Sequence, residues 1–169
     1  KGRKKLLQDI GFTNVTISGD TRYDRVSEIL ERDNSLPFIE EFINGKTTVV
    51  LGSSWPKDEA MFVDFINSSL DTKFIIAPHT FGHVPALEES ITKKTILFTE
   101  KEGKNLAEYD VIIINTIGLL SKIYSYADVA YVGGGFGTSG LHNILEPAAF
   151  GVPVIIGPNH QKFPEAVAL

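Results

Sequence analysis

Residues Val129–Pro147 read VAYVGGGFGTSGLHNILEP: four apolar residues, a loop with five glycines in eight positions (133–140), and a segment that suits a helix start. Consecutive apolar residues rich in valine are typical of a strand buried on both faces, as at Val129–Val132. Pro147 fits only near the first turn of a helix, because its nitrogen has no proton to donate. The stretch therefore predicts a strand, a glycine loop and a helix that begins close to Asn143.

Six further apolar runs predict strands, namely Asn14–Ile17, Thr47–Leu51, Lys73–Ala77, Thr95–Phe98, Val111–Ile114 and Val152–Ile156. Between them lie two stripes with helical spacing, formed by Phe62, Phe65, Ile66 and Leu70 and by Leu119, Leu120, Ile123, Tyr124 and Ala127. Parallel strands need crossover connections, so this alternation predicts an α/β fold. We expect a three-layer Rossmann-like domain with a mostly parallel sheet of about six strands.

Composition excludes several classes of protein. The 169 residues are 43% hydrophobic and 22% charged, as in an ordinary soluble domain, and the net charge of −5 argues against a nucleic-acid partner. The absence of cysteine excludes disulfides, zinc–thiolate sites and a cysteine nucleophile. No apolar run approaches the roughly 20 residues that span a bilayer. Four cations in Lys1–Lys5 are interpreted as a solvated helix start rather than a membrane-headgroup contact.

A helix is predicted at each end of the sequence, as expected if the sequence was excised from a longer one. The first residue is not methionine, and a helix is predicted from the start, with Leu6, Leu7 and Ile10 on one side and Gly11 as its stop. Phe163–Leu169 has the pattern of a helix that has only begun. The sequence is therefore expected to be a piece of a longer protein.

Ligands of parallel sheets bind at the carboxyl ends of the strands, near the point where strand order reverses. Ser53 and Ser54 follow the Thr47–Leu51 run and can either donate to a phosphate or cap the next helix. His79 follows the Lys73–Ala77 run, and its ring can donate to a phosphate, stack on a base or serve a structural role. These positions are candidates for a ligand site.

The glycine loop is the strongest candidate. Five glycines cost much conformational entropy, which argues against a merely connecting loop, and they leave backbone N–H groups bare beside a helix start that favours an anion. Asn143 is expected to cap that helix. Glu146 lies in its first turn, where a carboxylate can accept from ribose hydroxyls or simply compensate the helix dipole.

Gly135–Gly140 also matches the dinucleotide fingerprint G-x-G-x-x-G. That fingerprint follows the first strand of its sheet, whereas at least three strands are predicted before this one. It also requires an acidic residue at the end of the next strand, and here that strand ends Ile155-Ile156-Gly157-Pro158-Asn159. A dinucleotide-dependent dehydrogenase is therefore rejected.

The sequence resembles the 3-deoxy-D-manno-octulosonic acid (Kdo) transferases of lipopolysaccharide biosynthesis, which are GT-B glycosyltransferases. The resemblance covers nearly the whole chain in order and depends on seven motifs: Gly19–Val26, Gly52–Pro56, Ala77–His79, Ile117–Leu120, Tyr131–Phe136, His142–Gly151 and Gly157–Phe163. The glycine loop with its continuation HNILEP is the most specific of them.

The resemblance implies a division of the chain and a role for each motif. Residues 1–45 would be an inter-domain connection with a lead-in strand and helices, and residues 46–169 a CMP-sugar-binding domain, the C-terminal half of a longer protein. Nucleotide-sugar contacts are implied at Ser53, Pro78, His79, Ile117, Gly118, Leu119, Gly134, Gly135, Asn143 and Glu146. Ser53 and the Gly134–Gly135 loop would contact phosphate, and Pro78–His79 and Ile117–Leu119 would line cytosine and ribose. Asn143 and Glu146 would fix phosphate and ribose.

The family's reaction is a metal-independent, inverting transfer of Kdo from CMP-Kdo to a lipid A precursor. It takes place at the cytoplasmic face of the bacterial inner membrane, and the resemblance implies no cofactor besides the substrate CMP-Kdo. The catalytic glutamate, the acceptor site and the membrane contact belong to the family's N-terminal half. This piece alone is therefore expected to be soluble and inactive, with no catalytic residue of its own.

The sequence departs from the family at one point. Many members have Pro-Arg-His where this chain has Pro78-His79-Thr80, so a bidentate anion clamp is lost there.

Two alternatives stay open. One is another GT-B enzyme, such as a UDP-sugar transferase or a nucleotide-sugar epimerase. The other is a non-catalytic nucleotide-binding or protein-interaction domain, because none of the four histidines belongs to a recognisable catalytic motif.

Overall fold

The structure is a computed structural model that describes residues 2–16, 21–137 and 140–168. Its strands are β1 Thr47–Ser54, β2 Thr72–Pro78, β3 Thr95–Leu97, β4 Val111–Ile113, β5 Val129–Val132 and β6 Val154–Ile156. Its α-helices are α1 Gly2–Asp9, α2 Thr21–Glu31, α3 Pro37–Ile43, α4 Pro56–Ser68, α5 Val84–Ser90, α6 Leu120–Ile123, α7 Leu145–Ala149 and α8 Pro164–Ala168. Short 3-10 turns occupy Phe98–Glu100, Leu106–Glu108 and Tyr124–Tyr126.

All six strands lie in one parallel sheet with the order β3-β4-β2-β1-β5-β6. The predicted α/β fold with a parallel sheet of about six strands is confirmed. A strand predicted at Asn14–Ile17 is wrong as far as the structure describes it, because residues 14–16 form no strand. Only Val15 of those three is apolar, so the segment has too little to bury against a neighbouring strand.

The sheet is covered on both faces. One core contains Ile39, Phe42, Val50, Ile75, Ile112, Tyr124 and Val132, and the other contains Val49, Leu51, Ile66, Phe74, Ile76, Ile113 and Tyr131. Neighbouring positions of β1 alternate between the two cores, as the period of a strand requires. Helix α3 packs into the first core through Ile39 and Phe42, both fully buried, so the end of the predicted lead-in segment is packed against the sheet.

Three apolar positions are more exposed than the sequence pattern suggests. Ile155 on β6 is half exposed, because β6 lies at the edge of the sheet and has one strand neighbour. Leu70 is 91% exposed since α4 already ends at Ser68, and Phe65 on that helix is half exposed while its ring meets Phe74 edge-on.

Helix α1 has the predicted extent, and Gly11 follows it with φ of +96°. Its apolar residues Leu6, Leu7 and Ile10 are exposed. Within the described residues, no helix is both long and apolar enough to cross a bilayer.

Lys73 is a buried cation at the start of the β2 run. Its side chain is 1% exposed, and its ammonium group donates to the backbone oxygens of Ala107, at 2.8 Å, and Tyr109. The same group lies 5.1 Å from the centre of the Phe42 ring, a cation–π contact. Burial lowers the pKa of Lys73. The lysine thus joins β2 to the segment that leads into β4.

We expect Lys73→Met to lower the free energy of unfolding by about 2–3 kcal/mol, because two buried carbonyls lose a charged donor while the apolar stem is retained. Urea denaturation monitored by circular dichroism measures the change. The matched control is Lys104→Met, at an exposed lysine near the same segment, which should change stability by less than about 0.5 kcal/mol. Equal stabilities of the two variants would contradict a structural role for Lys73.

Candidate nucleotide-binding site

The sheet reverses its strand order at β1. From β1 the chain proceeds through β2 to one side of the sheet, and β5 and β6 lie on the other side. The carboxyl ends of β1 and β5 meet at this reversal, because the Gly133 N–H donates to the Gly52 oxygen at 2.9 Å. The β2 end is joined to them by a bond from the His79 N–H to the Ser54 oxygen at 2.8 Å. Three sequence-predicted segments thus converge at the position where parallel sheets bind ligands.

The end of β1 is strained. Ser53 has φ of +50°, a left-handed conformation that non-glycine residues rarely adopt, and the pairing of β1 with β2 is interrupted between Gly52 and Ser54. The strain is held by surrounding contacts, and such positions cluster at functional sites. Among the described residues, nothing is hydrogen-bonded to the Ser53 hydroxyl, so it is available to a ligand.

The glycines after β5 are required for two reasons: close backbone packing and a positive φ angle. A Cβ at Gly133 would lie 2.2 Å from the Ser53 oxygen, and one at Gly135 would lie 2.6 Å from the Cα of Gly157. These two glycines are therefore required by close backbone packing. Gly134 has φ of +94°, and a Cβ there would meet the Gly140 oxygen at 2.1 Å. Sequence reasoning assigned the glycines to ligand access alone and missed this packing.

Only part of the loop has bare amides. The Gly133 N–H is bonded to Gly52, and the Gly134 N–H donates to Asp58 Oδ2 at 3.1 Å. The amides of Gly135 and Phe136 have no acceptor among the described residues. Of the two predicted phosphate contacts in the loop, the Gly135 amide is unbonded although the residue is buried, whereas Gly134 contributes mainly backbone shape.

Asp58 connects the ends of β1 and β5. It is 1% exposed; its Oδ1 accepts from the Tyr131 hydroxyl at 2.6 Å, and its Oδ2 accepts from the N–H groups of Trp55 at 2.9 Å and Gly134. Burial, together with this carboxylate, raises the pKa of Tyr131, so the tyrosine remains a neutral donor. Sequence reasoning missed Asp58, although an acidic residue three positions after a helix cap is a known sequence signal.

A second buried carboxylate lies beside it on α4. Glu59, 2% exposed, accepts from the Ser54 hydroxyl at 2.8 Å, and its other oxygen is 2.7 Å from His83 Nε2. Ser54 is therefore occupied by a structural bond, which leaves Ser53 as the serine with an unbonded hydroxyl at the end of β1.

Three aromatic rings stack beside the glycine loop. The ring centres of Trp55 and His79 are 4.6 Å apart, those of His79 and His142 are 4.4 Å apart, and the indole N–H of Trp55 is 3.2 Å from His142 Nε2. The bond makes Nε2 of His142 an acceptor. Burial and the nearby His79 lower the pKa of His142, so this ring is neutral near pH 7. His79 is exposed and presents its ring to solvent or to a ligand.

Two clefts open on either side of this cluster. The first, here called the loop cleft, has a volume of about 490 Å³ and is lined by Trp55, Lys57, Asp58, Gly134, Phe136 and Asn159, among others. The second, the helix cleft, has a volume of about 640 Å³ and is lined by Val26, Glu28, Ile29, Arg32, Ser121, Asn143 and Glu146. His142 contacts Trp55, which lines the loop cleft, and the next residue, Asn143, lines the helix cleft.

The helix cleft contains the predicted ribose contacts. The N-cap of α7 is Ile144 and not Asn143 as expected, but the Asn143 side chain accepts from the first helical N–H, that of Leu145, at 3.1 Å, and its amide donates to Glu146 Oε1 at 3.1 Å. The predicted helix start near Asn143 is confirmed. Helix α7 is only five residues long, so its dipole contributes less to anion binding than the sequence suggested. Burial raises the pKa of Glu146, and the Asn143 bond and Arg32 oppose that shift.

The remaining predicted residues lie at the carboxyl ends of neighbouring strands. Pro78 is buried and pairs with Ser54. Ile117, Gly118 and Leu119 follow β4; Ile117 is 86% exposed and Gly118 has φ of +92°. They precede α6, whose Ser121 lines the helix cleft, but none of the three lines that cleft itself. Residues 19 and 20 of the Gly19–Val26 motif, and the side chains of residues 21–25, lie outside what the structure describes.

Tyr124 was expected only as part of an apolar helix face. Its side chain is 1% exposed, and its hydroxyl takes the space where Gly52 lacks a side chain, since a Cβ there would lie 1.9 Å from the oxygen. Burial, assisted by Glu146, raises the Tyr124 pKa, so this hydroxyl is also a neutral donor. No described residue is hydrogen-bonded to it.

In residues 2–16, 21–137 and 140–168, no group of three or more histidine, aspartate or glutamate side chains is arranged to hold a metal ion. The site consists instead of amides, hydroxyls, carboxylates and aromatic rings.

Comparison with curated proteins identifies the relatives of the chain, although no protein-family model matches it. It is 38% identical over 118 residues to a 3-deoxy-D-manno-octulosonic acid transferase from Chlamydophila psittaci, an alignment of 68% of this chain and 27% of the relative. It is 36% identical over 93 residues to the enzyme of that name from Aquifex aeolicus, which covers 53% of this chain and 25% of the relative. The chain thus spans about a quarter of the length of these relatives.

The fold also has a counterpart among solved structures. The C-terminal CMP-Kdo binding domain of WaaA from Acinetobacter baumannii superposes with a TM-score of 0.65 over 86% of this chain and 77% of that one, at 21% identity. The identity is low, so the match supports the fold class alone. The resemblance inferred from the motifs is confirmed by the sequence relatives: over about two-thirds of its length, this chain is a homologue of the 3-deoxy-D-manno-octulosonic acid transferases.

Proposed function

We propose that this chain is the donor-binding domain of a glycosyltransferase that transfers Kdo from CMP-Kdo to a lipid A precursor in lipopolysaccharide biosynthesis. The reaction would be inverting and metal-independent, at the cytoplasmic face of the bacterial inner membrane. The general base, the acceptor site and the membrane contact would come from a preceding domain. The similarity to Kdo transferases supports this proposal.

One structural observation carries the proposal. The Ser53 hydroxyl, the free amides of Gly135 and Phe136, and the Asn143–Glu146 pair are brought to one edge of the sheet at its switch point. The Ser53 hydroxyl and the two loop amides suit a phosphate, and the Asn143–Glu146 pair suits a ribose. The rings of Trp55, His79 and His142 pack together nearby, and Trp55 lines the loop cleft.

These residues fit the charge that the reaction would create. Transfer breaks the bond between the anomeric carbon and the phosphate oxygen while the acceptor hydroxyl oxygen forms a new bond to that carbon and gives its proton to the general base of the preceding domain. The electron pair and the negative charge depart with CMP. Fixed N–H and O–H donors stabilise such charge without reorganising, and Ser53, Gly135 and Phe136 supply them here.

Nucleotide competition tests the base preference. In a thermal-shift assay, CMP should raise the melting temperature of the chain more than equal concentrations of UMP or UDP, because a ligand that binds only the folded state stabilises it more the tighter it binds. A larger shift with UDP would instead favour a UDP-sugar enzyme. The absence of any shift with millimolar nucleotides would argue against a donor-binding domain.

Glu146 gives a pH-dependent prediction. Its pKa is raised above the ordinary value of 4.5, mainly by burial, so its carboxylate gains a proton at a higher pH than usual. Only the ionised form accepts from two ribose hydroxyls. We therefore expect CMP affinity to fall as the pH is lowered towards 4.5. The raised pKa of Glu146 has the opposite effect on the stability of the fold. The protonated carboxyl stabilises the folded state fully below its unfolded-state pKa, and this contribution is lost as the pH rises through the folded-state pKa.

Calorimetric titration of CMP between pH 7.5 and 5 measures the effect. Because the phosphate of CMP also titrates near pH 6, Glu146→Gln is titrated in parallel, and the difference between the two proteins isolates the carboxylate. Glu146→Ala should lower CMP affinity about tenfold at pH 7.5 while the circular dichroism spectrum stays unchanged. Unchanged affinity in both variants would reject the ribose role.

A further inference from the structure

Arg32 is an exposed residue whose guanidinium is nevertheless held in one place. It follows the end of α2; its Nη2 donates to the Ser121 hydroxyl at 2.7 Å and its Nε to Asn34 Oδ1 at 2.9 Å. Asn34 is itself anchored, because its amide donates to the Ile29 oxygen at 2.7 Å. The Ser121 contact joins residues 89 positions apart and thereby ties α2 to α6.

Three N–H groups of the Arg32 guanidinium have no acceptor among the described residues. Arginine has five N–H groups, and the two bonds to Ser121 and Asn34 use one from Nε and one from Nη2. Both N–H groups of Nη1 and the second of Nη2 have no acceptor among the described residues. One N–H of Nη1 and the unbonded N–H of Nη2 form the end-on edge of the guanidinium, which presents two parallel donors in a fixed fork. Since Arg32 lines the helix cleft, this fork is accessible from the cleft.

The neighbours of Arg32 indicate which part of a nucleotide it would meet. Glu146 and Asn143 line the same cleft and are the proposed ribose contacts. Ser121 lies two positions after Leu119, the last residue of the segment predicted to line the base. Through its bond to Ser121, Arg32 therefore lies next to the segment that is expected to line the base. The apolar side chains of Val26 and Ile29 supply a wall for a flat ring.

We infer that Arg32 is the residue that selects cytosine over uracil in the proposed nucleotide site; this rests on the proposed function. Cytosine has two adjacent acceptors, O2 and N3, which match the two parallel donors of the fork. Uracil has the same O2, but its N3 carries a proton and repels the second donor. A site built around a hydrogen-bonded contact rejects a ligand that cannot complete it. The arginine at residue 32 thus supplies specificity in a chain that lacks the Pro-Arg-His motif.

The experiment compares the affinities of CMP and UMP by calorimetry at pH 7.5, in the wild type and in Arg32→Lys, Arg32→Ala and Ser121→Ala. Lysine keeps the charge but has no fork, so it separates base reading from attraction to the phosphate. The control is Lys46→Ala. It removes one cation at the amino ends of the strands, away from the candidate site, where Lys46 pairs with Asp71. Thermal melts check that every variant folds.

We expect the wild type to prefer CMP about tenfold, as one charged hydrogen bond in an exposed cleft allows. Arg32→Lys should lose that preference and bind UMP within about twofold of wild type. Arg32→Ala should weaken CMP about tenfold, Ser121→Ala should reduce the preference in part, and Lys46→Ala should match wild type.

A CMP preference that survives intact in Arg32→Lys would overturn the inference while leaving the proposed function standing. Equal weakening of CMP and UMP in Arg32→Ala would also overturn it, because Arg32 would then attract only the phosphate. If the wild type binds neither nucleotide, the proposed function fails and the inference fails with it.

Discussion

Gly133→Ala is expected to lower the free energy of unfolding by about 2–3 kcal/mol and to weaken CMP binding more than tenfold. The new Cβ would lie 2.2 Å from the Ser53 oxygen and 2.8 Å from the Ser54 Cα, distances that real Cβ atoms do not adopt. Both contacts are backbone atoms and cannot rotate away, so the ends of β1 and β5 must separate, at the cost of an overpacked core. Separation would displace Ser53 and the free loop amides together.

Gly82→Ala is the matched control. A Cβ at Gly82 would meet nothing within 4 Å, and its φ is not positive, so we expect stability within about 0.5 kcal/mol of wild type. Urea denaturation and CMP calorimetry on both variants give the comparison. If Gly133→Ala binds CMP as well as Gly82→Ala does, the junction of β1 and β5 has no part in the ligand site.

Asp58→Ala is expected to have a still larger effect on stability, a loss of about 3–5 kcal/mol. The substitution leaves three donors without their acceptor: the buried Tyr131 hydroxyl, the buried Gly134 N–H and the partly buried Trp55 N–H. Each buried donor left unpaired costs about 1–3 kcal/mol, and the three share one environment, so the sum is an upper bound. The Gly134 bend should also be released.

Asp64→Ala is the control, because Asp64 lies on the same helix with an exposed side chain. It should change stability by less than about 0.5 kcal/mol. Tyr131→Phe removes only one of the three bonds and should cost about 1 kcal/mol, which keeps the test informative if Asp58→Ala fails to fold. A stability of Asp58→Ala close to that of Asp64→Ala would mean that the three bonds do not hold the two strand ends together.

The strands could be predicted from the sequence because burial on both faces produces uninterrupted apolar runs. The limits of this signal are visible at Ile155, where an edge strand has the same pattern but an exposed residue, and at Lys73, a buried cation inside a run. Both cases depend on neighbours that a local pattern does not contain. Lys73 is stable there only because two carbonyls from a distant segment accept from it.

The candidate site was predictable where the signal is local. Ser53, the glycine loop and Asn143 were identified because each directly follows a strand or precedes a helix. Asp58 and Arg32 were missed, since their partners Gly134 and Ser121 lie 76 and 89 positions away along the chain. The glycine pattern also combined two causes, close packing at Gly133 and free amides at Gly135, which only the contacts separate.

The central claim is that the junction of β1 and β5 receives the phosphate of a nucleotide. Titration of CMP into ¹⁵N-labelled protein, followed by amide chemical shifts, tests it most directly. We expect the largest shifts at Gly135, Phe136 and Asn143. We expect none at Thr47 or Thr72, which lie at the amino ends of β1 and β2. Shifts confined to another surface, or none with CMP at about 10 mM, would contradict the claim.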